Sequence, residues 1–298
     1  MIPPGITLGL GTVQFGLPYG VSNALGKVPP AEVRAILSLA AAQGVGDLDT
    51  AADYGDSEAV LGECLPRPHP FRLVTKTSGI RTPRLAEDAI DEVVRHFHRS
   101  LQRLGQASVA GLLVHHAGDL LAENGGRFWE RLVALRDAGF VRKIGVSVYN
   151  PDELRRITAV FAIDLVQLPI NVFDQRFLAD GFLARVKAAG VEVHGRSVFL
   201  QGLLLMEESE LPPRLAPLAP AVRAYRDFLR AHALTPMQGA LRFAGQVPEV
   251  DCWMVGVCGA AQLRELLDAR PAAGAPRLAF GALAVADEAL INPANWNS

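Results

Sequence analysis

The sequence predicts an α/β protein in which eight strand–helix units close into a (β/α)8 barrel of the TIM type. Short apolar runs bounded by turn residues alternate with longer segments of helical period along the 298 residues. This alternation is typical of repeated βα units on a parallel sheet. The chain is 50% hydrophobic, enough for one large core, and α/β barrels often exceed the usual domain length. We therefore expect residues 1–298 to form one barrel domain.

Eight apolar runs are candidates for the barrel strands. Each is short and bounded by turn residues, as expected of strands that are buried on both faces. In chain order they are residues 7–11, 46–50, 72–76, 111–116, 143–148, 165–169, 192–198 and 251–257. A doubly wound sheet has fewer strands and would leave several units unplaced.

The segments between these runs have the spacing of amphipathic helices. The clearest is residues 83–104, where Ile90, Val94, Phe97, Leu101 and Leu104 recur at steps of three and four and should face the core. The predicted helices are residues 30–43, 58–65, 83–104, 128–138, 151–160, 178–189, 219–233 and 260–269. The proline-rich stretch 211–220 is expected to be a loop after the seventh strand.

Charge and cysteine content argue against several classes of protein. The chain has 29 Lys or Arg and 31 Asp or Glu residues without a basic cluster, so neither nucleic acid nor an anionic membrane is an expected partner. Its three cysteines lack C-x-x-C spacing and predict no disulfide framework or zinc site. The first residues lack the pattern of a signal peptide, so we expect a cytoplasmic protein.

Ionisable side chains lie where three neighbouring strands are expected to end. In a barrel, the loops that follow the strands build the active site. The second strand leads into a segment with Asp49 and Tyr54, the third ends at Lys76, and the fourth ends at His115 and His116. Strand alternation directs only one of two adjacent histidines inward, and the apolar run before them favours His115.

Together these side chains predict the protonation of an oxygen atom. A buried Lys76 ammonium needs an acidic partner, and Asp49 on the adjacent strand is suited to that. A free phenol titrates near about pH 10, so Tyr54 becomes a useful acid only beside a cation such as Lys76. A neutral His115 would donate a hydrogen bond to a carbonyl oxygen and orient it. The carbonyl carbon would be attacked by another group.

With these residues the chain resembles the aldo-keto reductase family. The match consists of Asp-Thr-Ala-x-x-Tyr-Gly at residues 49–55, Lys76 in the third strand, and an apolar run that ends in His115. The likeness extends over nearly the whole chain, through residues 9–12, 144–147, 167, 202, 256–257 and 262–263. The resemblance implies that Asp49, Tyr54, Lys76 and His115 are catalytic, with Tyr54 as the general acid.

The resemblance also implies a cofactor and a reaction. Hydride would pass from NADPH, or alternatively NADH, to an aldehyde or ketone, without a metal, and the product would be an alcohol. Ser147 and Gln167 would bind the carboxamide of the cofactor, and the loops 197–202 and 256–265 its phosphates. The implied cofactor contacts are Gly11, Thr12, Asp49, Ser147, Gln167, Arg196, Ser197, Leu200, Gln201, Gly202, Gly256, Cys258, Gln262 and Glu265.

Four positions depart from the family pattern. Val148 stands where the family usually has Asn, so one side-chain bond to the carboxamide is missing. Arg196 stands where an aromatic ring often stacks on the nicotinamide. In the last loop Cys258 replaces a common Ser or Lys and Leu266 a common Asn. The last two differences weaken the expectation of a pocket for the 2′-phosphate of NADPH.

Other interpretations of single motifs were weighed against this one. The pair Gly9-x-Gly11 suggests a Rossmann fold, but the third glycine of that motif is absent and no helix is expected to begin there. Asp47 and His194 lie deeper in their strands and are expected to be structural. Lys76 would alternatively be the nucleophile of a Schiff-base aldolase or lyase. A third alternative is a nicotinamide-binding regulatory subunit with slow turnover.

The sequence leaves the substrate open. The segments expected to contact it are residues 16–27, 118–126, 171–180 and the tail at 292–296. They mix apolar, aromatic and polar side chains without one dominant charge. A sugar, a small aldehyde and a ring ketone all remain candidates.

Overall fold

A computed structural model describes residues 6–23, 25–272 and 274–297, which contain a closed barrel of eight strands. Neighbouring strands are parallel and follow chain order, and the last strand pairs with the first. The strands are β1 (Leu8–Gly11), β2 (Asp47–Asp49), β3 (Arg72–Lys76), β4 (Val109–Val114), β5 (Val141–Ser147), β6 (Leu165–Pro169), β7 (Glu192–Arg196) and β8 (Cys252–Gly256). The predicted TIM barrel is confirmed.

Helices surround the barrel, and some of them begin with side-chain caps. Asn150 caps its helix through the N–H of Glu153, and Thr235 forms a capping box with Gln238. The helices are α1 (Val13–Gly16), α2 (Pro30–Ala42), α3 (Ser57–Cys64), α4 (Glu87–Leu104), α5 (Gly118–Leu121), α6 (Gly125–Asp137), α7 (Pro151–Thr158), α8 (Phe182–Ala188), α9 (Ala219–Ala231), α10 (Pro236–Ala244), α11 (Ala260–Asp268) and α12 (Glu288–Ile291). Over the described ranges, every helix is too short or too polar to span a bilayer.

Several bounds differ from the sequence prediction. The helix predicted from residue 83 begins at Glu87, because the N–H of Leu85 instead donates to the carbonyl of Glu123. Strand β4 ends at Val114, before both histidines. Helix α10 and the single turns α1, α5 and α12 were not predicted. A helical turn therefore does begin at Val13, but the closed barrel rules out the Rossmann alternative.

Alternation along the strands separates two apolar layers. The large core lies mainly between the strands and the helices, and a small cluster of Val74, Leu113 and Leu165 forms a second layer. Lys76 and Gln167 each lie two positions beyond a member of this cluster on the same strand face. The small cluster therefore supports the polar residues at the carboxyl ends of the strands.

Two glycines allow close packing around the barrel. A β-carbon on Gly145 would lie 1.7 Å from the carbonyl oxygen of Leu165 on the neighbouring strand. One on Gly195 would lie 2.5 Å from the ring of Trp253. Real β-carbons do not approach other atoms this closely, so a larger residue at either position would force the strands or the ring to move.

An ionic network closes the amino-terminal end of the barrel. Arg72 contacts Asp47 at 2.7 Å and Glu192 at 2.6 Å, and the Nε2 atom of buried His194 lies 2.9 Å from the same glutamate. Bonds from His194, Lys143 and Arg72 hold the pKa of Glu192 well below its usual range. Asp47 and His194 thus lie in a structural network at the end of the barrel opposite Lys76.

Candidate active site

An ion pair lies at the carboxyl ends of β2 and β3. The Nζ atom of Lys76 donates to both carboxylate oxygens of Asp49 at 2.7 and 2.6 Å, and to the carbonyl oxygen of Thr50 at 3.0 Å. Both side chains are buried, and the amide of Gln167 adds a bond of 2.7 Å to Asp49. The predicted partner of Lys76 is present, and all three ammonium protons have acceptors.

Tyr54 lies above this pair. Its ring centroid is 4.9 Å from the Nζ atom of Lys76. Burial raises the pKa of the Tyr54 phenol and the Asp49 carboxylate acts in the same direction, whereas Arg196 lowers it. The phenol is therefore protonated near neutral pH. The sequence assigned the opposing cation to Lys76 alone, but the structure adds Arg196.

His115 borders the same space from the end of β4. Its ring meets the Tyr54 ring edge to face, with centroids 5.6 Å apart. Its Nδ1 atom lies 3.5 Å from the Oδ2 atom of Asp53, and burial lowers the pKa of the imidazole while Asp53 raises it. His116 is exposed. Both histidines lie beyond the strand, so the strand alternation that favoured His115 does not itself explain why His116 is the exposed one.

Ser147 and Gln167 lie side by side on β5 and β6 at the same level. Both are buried. Among the residues that the structure describes, none donates to the Oε1 atom of Gln167, although this atom is inaccessible to water. A buried acceptor without a donor is costly, and a bound carboxamide N–H would satisfy it. The Val148 side chain faces the outer core.

Gly11 ends β1 and Thr12 follows it. Gly11 is half-buried and pairs with Gly256, which is exposed on β8. The Thr12 hydroxyl is buried, donates to the carbonyl of Asp49 at 3.0 Å, and lies 2.9 Å from the Ser57 hydroxyl. A cofactor contact from the Thr12 hydroxyl would have to compete with these bonds.

The loop after β7 has an unusual backbone. Ser197, Leu200, Gln201 and Gly202 have φ angles of 60°, 46°, 55° and 95°, although three of them carry side chains. Left-handed residues in a loop can contribute N–H groups to an anion-binding concavity, although the N–H groups of Leu200 and Gly202 here donate to the carbonyls of Ser197 and Phe199. At the start of the loop the Arg196 guanidinium lies 4.2 Å from the Tyr149 ring centroid and donates to the Val148 carbonyl at 3.1 Å.

The loop after β8 leads into α11. The N–H of half-buried Cys258 donates to the Oε1 atom of Gln262 at 2.7 Å. Gln262 and Glu265 are exposed, but Leu266 is buried in the core. Because the side chain at position 266 is packed in the core, its departure from the family pattern is weaker evidence against a 2′-phosphate pocket than expected.

Three residues of the site were not singled out from the sequence. Asp53 contacts His115, Tyr149 stacks on Arg196, and the Tyr19 hydroxyl accepts a bond of 2.9 Å from Gln201. Each lies in or next to a loop at the carboxyl end of the barrel. Their positions shortly after β2, β5 and α1 were the only available indication that they belong to the site. Trp296, expected near the substrate, is buried instead and donates to the carbonyl of Leu290.

Metal ligands are not gathered in this region. Within residues 6–23, 25–272 and 274–297, no group of three His, Cys, Asp or Glu side chains is placed to hold a metal ion. The charged centre of the site in the described chain is instead the Asp49–Lys76 pair with Tyr54, His115 and Arg196 around it.

Known structures share this architecture. The holo form of aldo-keto reductase AKR11C1 from Bacillus halodurans superposes with a TM-score of 0.70 at 20% identity, over 94% of this chain and 93% of that one. Glycerol dehydrogenase AKR11B4 from Gluconobacter oxydans gives a TM-score of 0.66 at 19% identity, over 94% and 91% of the two chains. At these identities the likeness shows the fold.

Sequence comparisons give the family. Aldo-keto reductase AKR2E4 from Bombyx mori is 28% identical over 178 residues, 56% of each chain. An aldo-keto reductase from Mycobacterium sp. (strain KMS) is 29% identical over 136 residues, 43% of this chain and 45% of that protein. The matches span about half the length of these curated relatives. The sequence model of the Aldo/keto reductase family matches residues 7–272, so the chain belongs to this family.

Proposed function

We propose that this protein is an oxidoreductase that reduces an aldehyde or ketone to an alcohol with a reduced nicotinamide cofactor. The observation that carries the proposal is the position of Tyr54, whose ring lies 4.9 Å from the Lys76 ammonium and edge to face with His115. A protonated phenol between a cation and an imidazole is suited to donate a proton to an oxygen that becomes negatively charged.

Each side chain of the site has a separate role in this reaction. The bound cofactor supplies a hydride to the carbonyl carbon. Tyr54 transfers its phenol proton to the carbonyl oxygen, and the charges of Lys76 and Arg196 stabilise the phenolate that remains until solvent returns a proton. His115 is neutral near pH 7 because burial lowers its pKa, and it orients the carbonyl oxygen by a hydrogen bond.

The residues present fit a nicotinamide cofactor. The unpartnered Oε1 atom of Gln167 supports carboxamide binding, with Ser147 beside it. The four left-handed residues of the loop after β7, Ser197, Leu200, Gln201 and Gly202, support binding of the phosphates. A structural neighbour described as a holo form and another named a glycerol dehydrogenase are consistent with this assignment.

The geometry disfavours the Schiff-base alternative. A nucleophilic amine must be unprotonated and must approach a carbonyl carbon. Burial does lower the pKa of Lys76, but Asp49 counteracts this and all three ammonium protons have acceptors. Trapping with borohydride and a carbonyl substrate is therefore expected to leave Lys76 unmodified.

The test is Tyr54→Phe with Tyr225→Phe as matched control. A panel of aldehydes, ketones and sugars is first screened with NADH and NADPH by loss of cofactor absorbance. Tyr54→Phe is then expected to lower the turnover number by about 10²- to 10⁴-fold, the usual rate contribution of a positioned general acid. The affinity for the cofactor should stay nearly unchanged. The Tyr225 hydroxyl donates to the carbonyl of Pro236 at the start of α10, and its loss should leave turnover unchanged. Unimpaired turnover in Tyr54→Phe would refute the assigned role.

A further inference from the structure

A carboxylate from another helix covers the amino-terminal end of α11. The first N–H of this helix, on Ala260, donates to the Oε1 atom of Glu32 at 2.6 Å. Glu32 lies in the first turn of α2, which packs against α11. The side chain is half-buried. Glu32 is therefore close to the positive ends of two helix dipoles, and both favour its negative charge.

This position is where a barrel commonly binds a phosphate. In TIM barrels, phosphate sites are frequently built from the loops after the seventh and eighth strands together with a helix amino terminus. Helix α11 follows β8 after the short turn at residues 257–259. A free N–H at its first turn would attract an anion, but here the protein's own carboxylate already holds it.

Some of the donors in this turn are already engaged. The N–H of Cys258 is held by Gln262, and a β-carbon on Gly259 would lie 3.2 Å from the Glu32 carboxylate. Within the described part of α11 the one basic residue is Arg264, which is exposed and followed by Glu265. Arg34 of α2 is engaged with Glu63 on α3.

We infer that Glu32 selects NADH over NADPH. Resting on the proposed function, this inference assigns the adenosine end of the cofactor to the α11 terminus. A 2′-phosphate there would bring about two further negative charges against the Glu32 carboxylate, and the charge of Arg264, the one basic residue in the described part of α11, is screened because this side chain is exposed. A free 2′-hydroxyl would instead donate a hydrogen bond to the carboxylate, as acidic residues do in other NAD sites. Glu32 thus opposes the NADPH preference that the family resemblance implied.

The inference is tested by direct binding rather than by turnover. NADH and NADPH are titrated against the wild-type protein by fluorescence, and AMP and adenosine 2′,5′-bisphosphate compete to isolate the 2′-phosphate. Wild type is expected to bind NADH about 10- to 100-fold more tightly than NADPH, the range for a like-charge contact near a protein surface. Tighter or equal binding of NADPH overturns the inference and leaves the proposed function intact.

Variants assign the effect to one side chain. Glu32→Gln and Glu32→Ala should strengthen NADPH binding at least about tenfold, by removing the like charge, and leave NADH binding within about threefold. Glu130→Gln on α6 removes an exposed carboxylate elsewhere on the barrel and should change neither affinity. An unchanged NADH to NADPH ratio in both Glu32 variants refutes the inference. If wild type binds neither nucleotide, the proposed function fails as well.

Discussion

Asp49→Asn is expected to destabilise the protein through the charge that it leaves behind. The Lys76 side chain is 1% exposed and the Asp49 side chain 6% exposed, so water cannot replace the lost carboxylate. Removal of one partner from a buried ion pair costs about 3–5 kcal/mol, out of a typical total of about 5–15 kcal/mol. The substituted amide would also keep only one oxygen to accept from both Lys76 and Gln167. The variant should therefore unfold at much lower urea concentration than wild type.

The loss should depend on pH in a defined direction. Burial lowers the pKa of Lys76 and Asp49 opposes this, so removal of the carboxylate lowers that pKa further. Between the folded pKa and the unfolded value of about 10.4, the unfolded chain then binds more protons than the native protein, and stability rises with pH. The destabilisation is thus complete below the folded pKa and diminishes as pH rises from there to about 10.4.

Urea unfolding followed by tryptophan fluorescence, from about pH 6 to about pH 10, measures both effects. The double variant Asp49→Asn/Lys76→Met is the control, because it removes both charges and should recover most of the loss. If the single and double variants are equally destabilised, or if the single variant shows no recovery at high pH, the buried charge of Lys76 is not the cause.

Two further predictions concern the site and the barrel. His115→Ala should lower the turnover number by about 10²- to 10⁴-fold, and His116→Ala, at the exposed histidine, by less than about threefold. Equal losses in steady-state assays would show that the wrong histidine was assigned. Gly145→Ala places a β-carbon 1.7 Å from the Leu165 carbonyl and should lower the melting temperature strongly or prevent folding. The control Gly126→Ala meets no atom within 4 Å and should leave the melting temperature unchanged. Similar melting temperatures of the two variants would contradict the close approach at Gly145.

The fold could be predicted because its strands and long helices have local sequence patterns. Each strand and each long helix has its own periodicity, so the eight units could be recognised one at a time. Their bounds could not, since tertiary bonds decide them: the start of α4 depends on a bond between Leu85 and Glu123. The short turns α1, α5 and α12 are too brief to have a period. Helix α10 was missed because its segment follows α9 without a predicted strand between them.

The ion pair at the centre of the site was predictable for a different reason. A lysine in an apolar strand requires a carboxylate, and adjacent parallel strands place Asp49 beside Lys76. Contacts between the ends of helices distant in the sequence follow no such rule. Glu32 and Ala260 are 228 positions apart, and nothing in either local sequence indicates that they meet. The inferred choice between cofactors therefore rests on a contact that only the folded chain shows.

The role assigned to Arg196 from the sequence also changes once its contacts are known. By position alone it was expected where an aromatic ring stacks on the nicotinamide. In the structure its guanidinium lies over Tyr149 and donates to the Val148 carbonyl, so β5 and β7 together fix its direction. From there its charge lowers the pKa of Tyr54, against the effects of burial and Asp49. Under the proposed function the phenol loses a proton during reduction, and a cation held in this way would favour that step.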